Sequence, residues 1–139
     1  MWRVAAQWTS LSLRSEANSP EQQQWLQDLE RHGFVLWEDV QGQRPQGRGF
    51  VTTFRVSQGN PFFLLDHVER LKRCWLRHFP HLSFPSESFL SLLVCLFDQR
   101  EGSELIGRVE WIPLKGSGAW DFQAAPLTVE HSPSPVDLE

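Results

Sequence analysis

The chain has little of what secreted or membrane-spanning proteins need. Among its 139 residues there are only two cysteines, Cys74 and Cys95, too few for a disulfide framework, so a reducing, cytoplasmic location is expected. The longest apolar run, Phe89–Phe97, is far shorter than the roughly 20 residues that cross a bilayer, which predicts no membrane span. The first twenty residues lack a continuous apolar segment, so no secretory signal is predicted.

Lysine and tyrosine are also scarce. Eleven of the 13 basic residues are arginine, and the chain has seven tryptophans but no tyrosine. The net charge of −4 disfavours a nucleic-acid-binding protein, since that class is usually basic. Tryptophan is large and amphipathic, so it suits contact surfaces as well as cores. The 40% of hydrophobic residues are enough for one compact domain, for which a protein partner and no nucleic acid are expected.

Capping residues and apolar periodicity predict three helices. The first begins with a capping box, because Ser19 is followed three residues later by Gln22, with a proline at the first helical position. Asp66 is expected to cap the second helix, and Ser86 or Ser88 the third, whose nearly continuous apolar character predicts burial on all sides. The predicted helices cover residues 19–32, 67–79 and 86–101.

Strand signals surround these helices. A β-hairpin is predicted over residues 49–65, because β-branched and aromatic residues flank the turn sequence Ser-Gln-Gly-Asn at 57–60. Further strands are predicted over residues 2–8, 34–37, 104–112 and 120–129. The order of elements predicts an α+β fold: a mostly antiparallel sheet with two or three packed helices.

The stretch from Gly47 to Leu71 reads GRGFVTTFRVSQGNPFFLLDHVERL. It contains, in order, a Gly-x-Gly turn, the strand Thr-Thr-Phe-Arg-Val, a short turn with Gly59, and His-x-x-Arg-Leu. This series resembles the N-terminal small domain of class IV pyridoxal-phosphate (PLP) enzymes. That family includes branched-chain aminotransferases, D-amino-acid aminotransferases and 4-amino-4-deoxychorismate lyase, and the paired threonines make the lyase branch the nearest.

The resemblance covers about residues 47–130 and implies three parts. Residues 1–46 are expected to form a divergent strand and helix that pack on the domain. Residues 47–130 are expected to form the class IV-like small domain itself. Residues 131–139 contain two prolines and two acidic residues, and are expected to be a flexible tail.

The resemblance also implies which residues would lie near a cofactor. In the family the arginine of His-x-x-Arg-Leu contacts the cofactor phosphate, and here that residue is Arg70. A guanidinium suits this role because its planar fork donates two charge-assisted hydrogen bonds. Arg55 and Thr53 stand where family members place residues near the active-site cleft. PLP or phosphate, if bound, is therefore expected at Arg70, Arg55 and Thr53.

The family's catalytic groups have no counterpart in this sequence. In the family the Schiff-base lysine and the glutamate that pairs with the pyridine nitrogen belong to a second, C-terminal domain, and neither Lys72 nor Lys115 matches that lysine. No catalytic residue and no resident cofactor are therefore expected. The leading hypothesis is a non-catalytic accessory or assembly subunit of a protein complex. Two alternatives stay open: half of a PLP-dependent lyase or aminotransferase that needs a lysine-bearing partner domain, and a regulator that binds a small anion or phosphate.

A basic stripe in the predicted second helix is the candidate partner site. Arg70, Arg73 and Arg77 are three and four residues apart, so they share one helix face. Arg73, Arg77 and the neighbouring Lys72 are the residues expected to contact an acidic partner. The alternative is an ordinary solvated face opposite an apolar stripe.

No metal site is predicted. Cys74, His78 and His81 carry ligating atoms, but Pro80 interrupts the helix between the two histidines. Zinc needs three or four convergent ligands, and no fourth candidate lies close in the sequence. The sequence does not predict an oligomeric state.

Overall fold

One sheet of six strands forms the base of the structure, and helices pack on it. The structure is a computed structural model that describes residues 7–100, 102 and 104–127. The strands are β1 (Thr9–Ser10), β2 (Val35–Leu36), β3 (Phe50–Ser57), β4 (Asn60–Pro61), β5 (Glu104–Leu114) and β6 (Ser117–Pro126). They run in the order β1-β6-β5-β3-β4, with β2 also beside β6. Every strand pairing is antiparallel except the parallel pair of β2 and β6, and the sheet with its packed helices confirms the predicted α+β fold.

The helices are α1 (Leu13–Glu16), α2 (Pro20–Arg31), α3 (Leu64–His78) and α4 (Ser86–Asp98), with a 3-10 turn at Trp37–Asp39. The capping box predicted for α2 is confirmed: Ser19 accepts a hydrogen bond from the backbone of Gln22, whose side chain accepts one from the Ser19 backbone. Short α1 was not predicted. Its cap residue Ser12 donates to Glu38 at 2.7 Å, so a contact distant in the sequence holds it.

The hairpin turn is confirmed in the predicted position. Ser57 pairs with Asn60 across a two-residue turn, in which Gln58 and Gly59 have φ angles of 53° and 78°. Two positive φ angles define the type I′ turn, whose twist matches that of the flanking strands. The second strand of the hairpin is much shorter than predicted, however, because β4 ends at Pro61.

One predicted helix start and two predicted helix caps are wrong. The helix predicted over 67–79 begins at Leu64, so Asp66 lies in its first turn rather than at its cap, and Phe63 occupies the cap position. Leu64 is buried together with Val68, and this helical spacing of apolar residues draws the start of α3 towards the core. In α4 no serine side chain caps the helix.

The prediction that α4 is buried on all sides is also wrong, because Val94 is 44% exposed. The helix packs against α2, where Ser88 donates to Asp28 at 2.7 Å, and against the sheet. Aromatic rings fill the space beneath it: Phe89 lies 5.2 Å from Trp120, which in turn stacks on Phe34 at 5.1 Å. The outward side of α4 is thus left to solvent.

Residues 7–46 take part in the same sheet as the remainder of the described chain, since β1 and β2 both pair with β6. The strand predicted over 34–37 is shorter than expected and turns into the 3-10 segment at Trp37. Most of the strand predicted over 2–8, the end of the last predicted strand and the tail at 131–139 lie outside the described residues. Within the described ranges, no helix has both the length and the apolar character needed to cross a membrane.

Candidate functional site

The unit formed by β3 and α3 carries all six residues that the sequence predicted for cofactor or partner binding, which are Thr53, Arg55, Arg70, Lys72, Arg73 and Arg77. Side chains alternate along β3: Thr52, Phe54 and Val56 are buried, whereas Val51, Thr53 and Arg55 are exposed. Period-two alternation puts the two sets on opposite faces of the sheet. The buried face is the one that α3 covers, since His67 of α3 lies against Thr52.

A partly buried hydrogen bond joins the strand to the helix. The Thr52 hydroxyl lies 2.6 Å from Nδ1 of His67, and the imidazole ring also packs at 5.6 Å from the ring of Phe54. Burial lowers the pKa of His67 below its ordinary value, and the positive charge of Arg70 lowers that pKa further. The neutral imidazole is thus the favoured form at this joint.

The three residues implied in cofactor binding do not share a face. Arg70 lies on the exposed flank of α3, above one face of the sheet, while Thr53 and Arg55 project from the other face. Arg55 instead lies 3.6 Å from Glu104, across the β3–β5 pair. These residues therefore do not converge on one phosphate-sized site, and their arrangement in this chain does not fit PLP.

Lys72 and Lys115 do not complete a cofactor site with these residues. Lys72 lies on α3 and Lys115 in the turn between β5 and β6, so they belong to different parts of the fold. No chemistry of an imine-bound cofactor can be derived from this arrangement.

Arg70, Arg73 and Arg77 form an exposed strip that we call the basic ridge. All three side chains are exposed along α3. In the part of the chain that the structure describes, none of them has a carboxylate within ion-pair distance. Lys72 is half-buried and lies about 100° around the helix from Arg73, so it does not join the ridge.

The ridge lies on the flank of α3 that faces away from α4. The opposite flank is buried against the core through Leu64, Val68, Leu71 and Trp75. The side towards the sheet carries His67 and His78, which pack against Thr52 and Phe50 of β3. Successive residues of a helix are rotated by 100° about its axis, so the three arginines lie on the solvent side of α3, on the flank next to β3.

The strand beneath the ridge is at the edge of the sheet. Along its full length β3 pairs with β5 on one side. On the other side β4 covers only Val56 and Ser57. Among the described residues no strand pairs with residues 50–54 on that side, which we call the open edge. Just beyond it, the Arg55 carbonyl accepts a hydrogen bond from the Phe62 backbone.

This open edge could not be predicted from the sequence, since strand order depends on contacts far apart in the chain. Exposed apolar side chains adjoin it: Val51 is 45% exposed, and Phe63, just beyond β4, is 76% exposed. Phe63 also has a φ of 54°, which is uncommon for a bulky residue. In the sequence, only an apolar run that leads directly into a helix beginning at Leu64 could have indicated this backbone conformation of Phe63.

Of the residues considered for metal binding, His78 packs among aromatic rings, whereas His81 is exposed. The ring of His78 lies 4.9 Å from that of Trp111 and 6.0 Å from that of Phe50, so it extends an aromatic cluster. Cys74 is half-buried on the same helix. Over the described ranges, no three histidine, cysteine or acidic side chains come together in a group that could hold a metal ion.

A polar cluster that sequence reasoning missed lies on the opposite face of the sheet. The buried carboxylate of Asp121 accepts hydrogen bonds from Ser10 at 3.2 Å and from Gln123 at 2.6 Å. Burial raises the pKa of Asp121, against the effect of these two donors. The cluster holds β1 on β6 and is a structural link between two distant parts of the chain.

No family profile, no curated protein and no solved structure matches this chain.

Proposed function

We propose that this chain is a non-catalytic domain related to class IV PLP enzymes, and that it works as an accessory or assembly subunit of a protein complex. It docks an acidic surface of its partner through the basic ridge. The observation that carries this proposal is the ridge itself: three exposed arginines on one flank of α3, without a carboxylate partner in the described structure.

The ridge is a local excess of positive charge on a chain whose net charge is −4, because its three arginines outnumber Asp66 and Glu69, the two exposed acidic residues of the same helix. Two other exposed arginines of the described structure are paired: Arg14 binds Asp39 at 2.6 Å, and Arg55 lies 3.6 Å from Glu104. An unpaired cluster attracts an oppositely charged surface and steers its approach. This attraction acts mainly on the association rate and weakens as salt screens the charges beyond about 8 Å.

The experiment has two stages. The chain is used as bait in a lysate of its source, and the association rate of each captured protein is then measured at low and high ionic strength. The test variant is the double change Arg73→Glu and Arg77→Glu. Its matched control is Arg44→Glu with Lys115→Glu, which changes the net charge equally at exposed positions away from the ridge.

The ridge variant should slow association by about tenfold at low salt and lose most of the salt dependence, as expected for steering by a few charges. The control should keep both properties. Equal rates for the wild type, the ridge variant and the control would contradict docking through the ridge. Both variants should keep the unfolding midpoint of the wild type, since exposed substitutions usually change stability by about 0.5 kcal/mol or less.

The enzymatic alternative is tested on the same material. PLP is added to the purified chain, with and without the captured partner, and any imine is trapped with borohydride and located by peptide mapping. One stoichiometric site on a lysine of the partner, formed only in the complex, would favour a divided enzyme. Scattered partial labelling would agree with the non-catalytic proposal.

A further inference from the structure

We infer that the open edge of β3 and the basic ridge together form one docking site, and that its occupant is an extended acidic segment of the partner protein, added to the sheet as a new strand. This inference rests on the proposed function and names the form of the partner. It joins two features that lie side by side: unpaired backbone groups on β3 and unpaired positive charge on α3.

The backbone of the open edge is ready to pair. The Arg55 carbonyl accepts a hydrogen bond from the Phe62 backbone at 2.8 Å, so the polar groups of Arg55 point away from β5. In an antiparallel strand the N–H and C=O groups of successive residues point to alternate sides. The groups of Thr53 and Val51 therefore point away from β5, as those of Arg55 do. Within the described ranges no backbone or side-chain group bonds to them. Such an edge accepts an extended peptide through main-chain hydrogen bonds.

The positive charge of the ridge favours an occupant with negatively charged side chains. An added strand would lie directly beside β3, and α3 packs over β3 through His67 and His78. Every second side chain of the added strand would therefore point to the same side of the sheet as the ridge. Carboxylates at these positions would meet Arg70 and Arg77, and guanidinium groups bind carboxylates in charge-assisted pairs.

The other side chains of the added strand would lie on the opposite face. There they would lie beside Val51 and Thr53, which are exposed and carry no charge. Small or β-branched residues suit cross-strand neighbours of this kind. The expected occupant thus alternates acidic residues with valine, threonine or isoleucine.

Charge disfavours a second copy of this chain as the occupant. Antiparallel pairing of two β3 edges would keep both α3 helices on the same face of the joined sheet. Two basic ridges, each of three arginines, would then face each other across the new pair of strands. Like charges in that position cost binding energy and suppress the wrong partner.

The inference is tested with synthetic peptides and the purified chain. The probes are peptides of about eight residues, enough for one strand, that alternate glutamate with valine or threonine. A matched peptide carries lysine at every glutamate position. A third kind of peptide is N-methylated at alternate residues, with one version for each of the two possible registers. Its backbone amides on the paired side then cannot donate hydrogen bonds to the open edge.

Binding affinity is measured by fluorescence anisotropy, and the amides of Val51 and Thr53 are followed by hydrogen exchange. The acidic peptides should bind and protect these two amides, and the lysine peptide should not bind. N-methylation should weaken binding by about tenfold, the equivalent of about 1.4 kcal/mol. If the bound peptide protected only one of these two amides, the predicted direction of the backbone groups would be wrong.

Thr53→Pro removes the N–H at the centre of the open edge, and Thr53→Ala is its control. Proline is tolerated on edge strands because the lost N–H does not serve the pairing with the neighbouring strand. The proline variant should bind the acidic peptides about tenfold more weakly, whereas the alanine variant should bind within about twofold of the wild type. Because the N-methylated peptides test the same bond on the wild-type chain, the result does not depend on the proline variant folding.

The outcomes separate this inference from the proposed function. Suppose that binding survives Thr53→Pro and N-methylation but is lost with Arg73→Glu and Arg77→Glu. Then docking through the ridge stands and strand addition is overturned. Peptide binding that is the same for the wild type and the ridge variant, and at low and high salt, would overturn both docking through the ridge and strand addition. No binding by any acidic peptide at millimolar concentration would overturn strand addition while the partner experiment above still decides the proposed function.

Discussion

The bond between Thr52 and His67 offers a sharp test of how β3 and α3 are held together. Thr52 is only 3% exposed, and its hydroxyl lies 2.6 Å from Nδ1 of His67. In Thr52→Val a methyl group replaces the hydroxyl in a side chain of the same shape, so no large cavity forms. The imidazole nitrogen then loses its partner at the joint.

Leaving a buried polar group without a partner costs about 1–3 kcal/mol. His67 is only half-buried, so water can still reach part of the ring and the lower end of that range applies. We expect Thr52→Val to lower the free energy of unfolding by about 1 kcal/mol. The strand preference of the residue hardly changes, since threonine and valine are both β-branched.

Urea unfolding followed by tryptophan fluorescence measures this loss. With a slope of about 2 kcal/mol per molar urea, the midpoint should fall by about half a molar at an unchanged slope. The control is Thr53→Val, which makes the same chemical change one residue further along, on the exposed face. A Thr52→Val midpoint equal to that of the wild type or of Thr53→Val would show that the bond does not support the fold.

Two further predictions concern the same region. Because the pKa of His67 is lowered in the fold, the folded state binds fewer protons than the unfolded state just below pH 6.5. Stability should therefore fall as the pH drops through about 6.5, and in urea titrations Arg70→Gln should reduce this fall while Arg77→Gln should not. Gly107→Ala would place a Cβ 2.6 Å from Phe54 and 2.8 Å from Phe97, and should cost about 1–3 kcal/mol of unfolding free energy. A second change, Phe97→Leu, should make the combined loss smaller than the sum of the two single losses; additive losses in denaturation curves would contradict this contact.

Local interactions explain which sequence predictions succeeded. The start of α2 depends on Ser19 and Gln22, which are three residues apart, and the hairpin turn depends on Gln58 and Gly59. Both features are set by groups that lie next to one another in the chain, so composition and spacing are enough to find them.

Competition between elements explains the errors. The run after Gly59 is suited to a strand, but Leu64 starts a helix whose buried stripe continues through Val68 and Leu71. Packing against the core outweighs strand propensity, which is a weak and context-dependent preference. Similarly, the apolar sequence of α4 exceeds the surface that α2, α3 and the sheet can cover, so Val94 is left exposed.

By itself, the sequence determined the α+β class, the helical stripe of arginines and the strand that carries Thr53 and Arg55, because each depends on residue type and short-range periodicity. Only the tertiary structure decided that Arg70 is separated from Thr53 and Arg55 by the sheet. It also decided that β3 lies at the edge, because β5 occupies one side of β3 and the neighbour on the other side, β4, has only two residues. Strand order and the choice of face arise from contacts between residues tens of positions apart, and these contacts place the basic ridge beside an unpaired backbone.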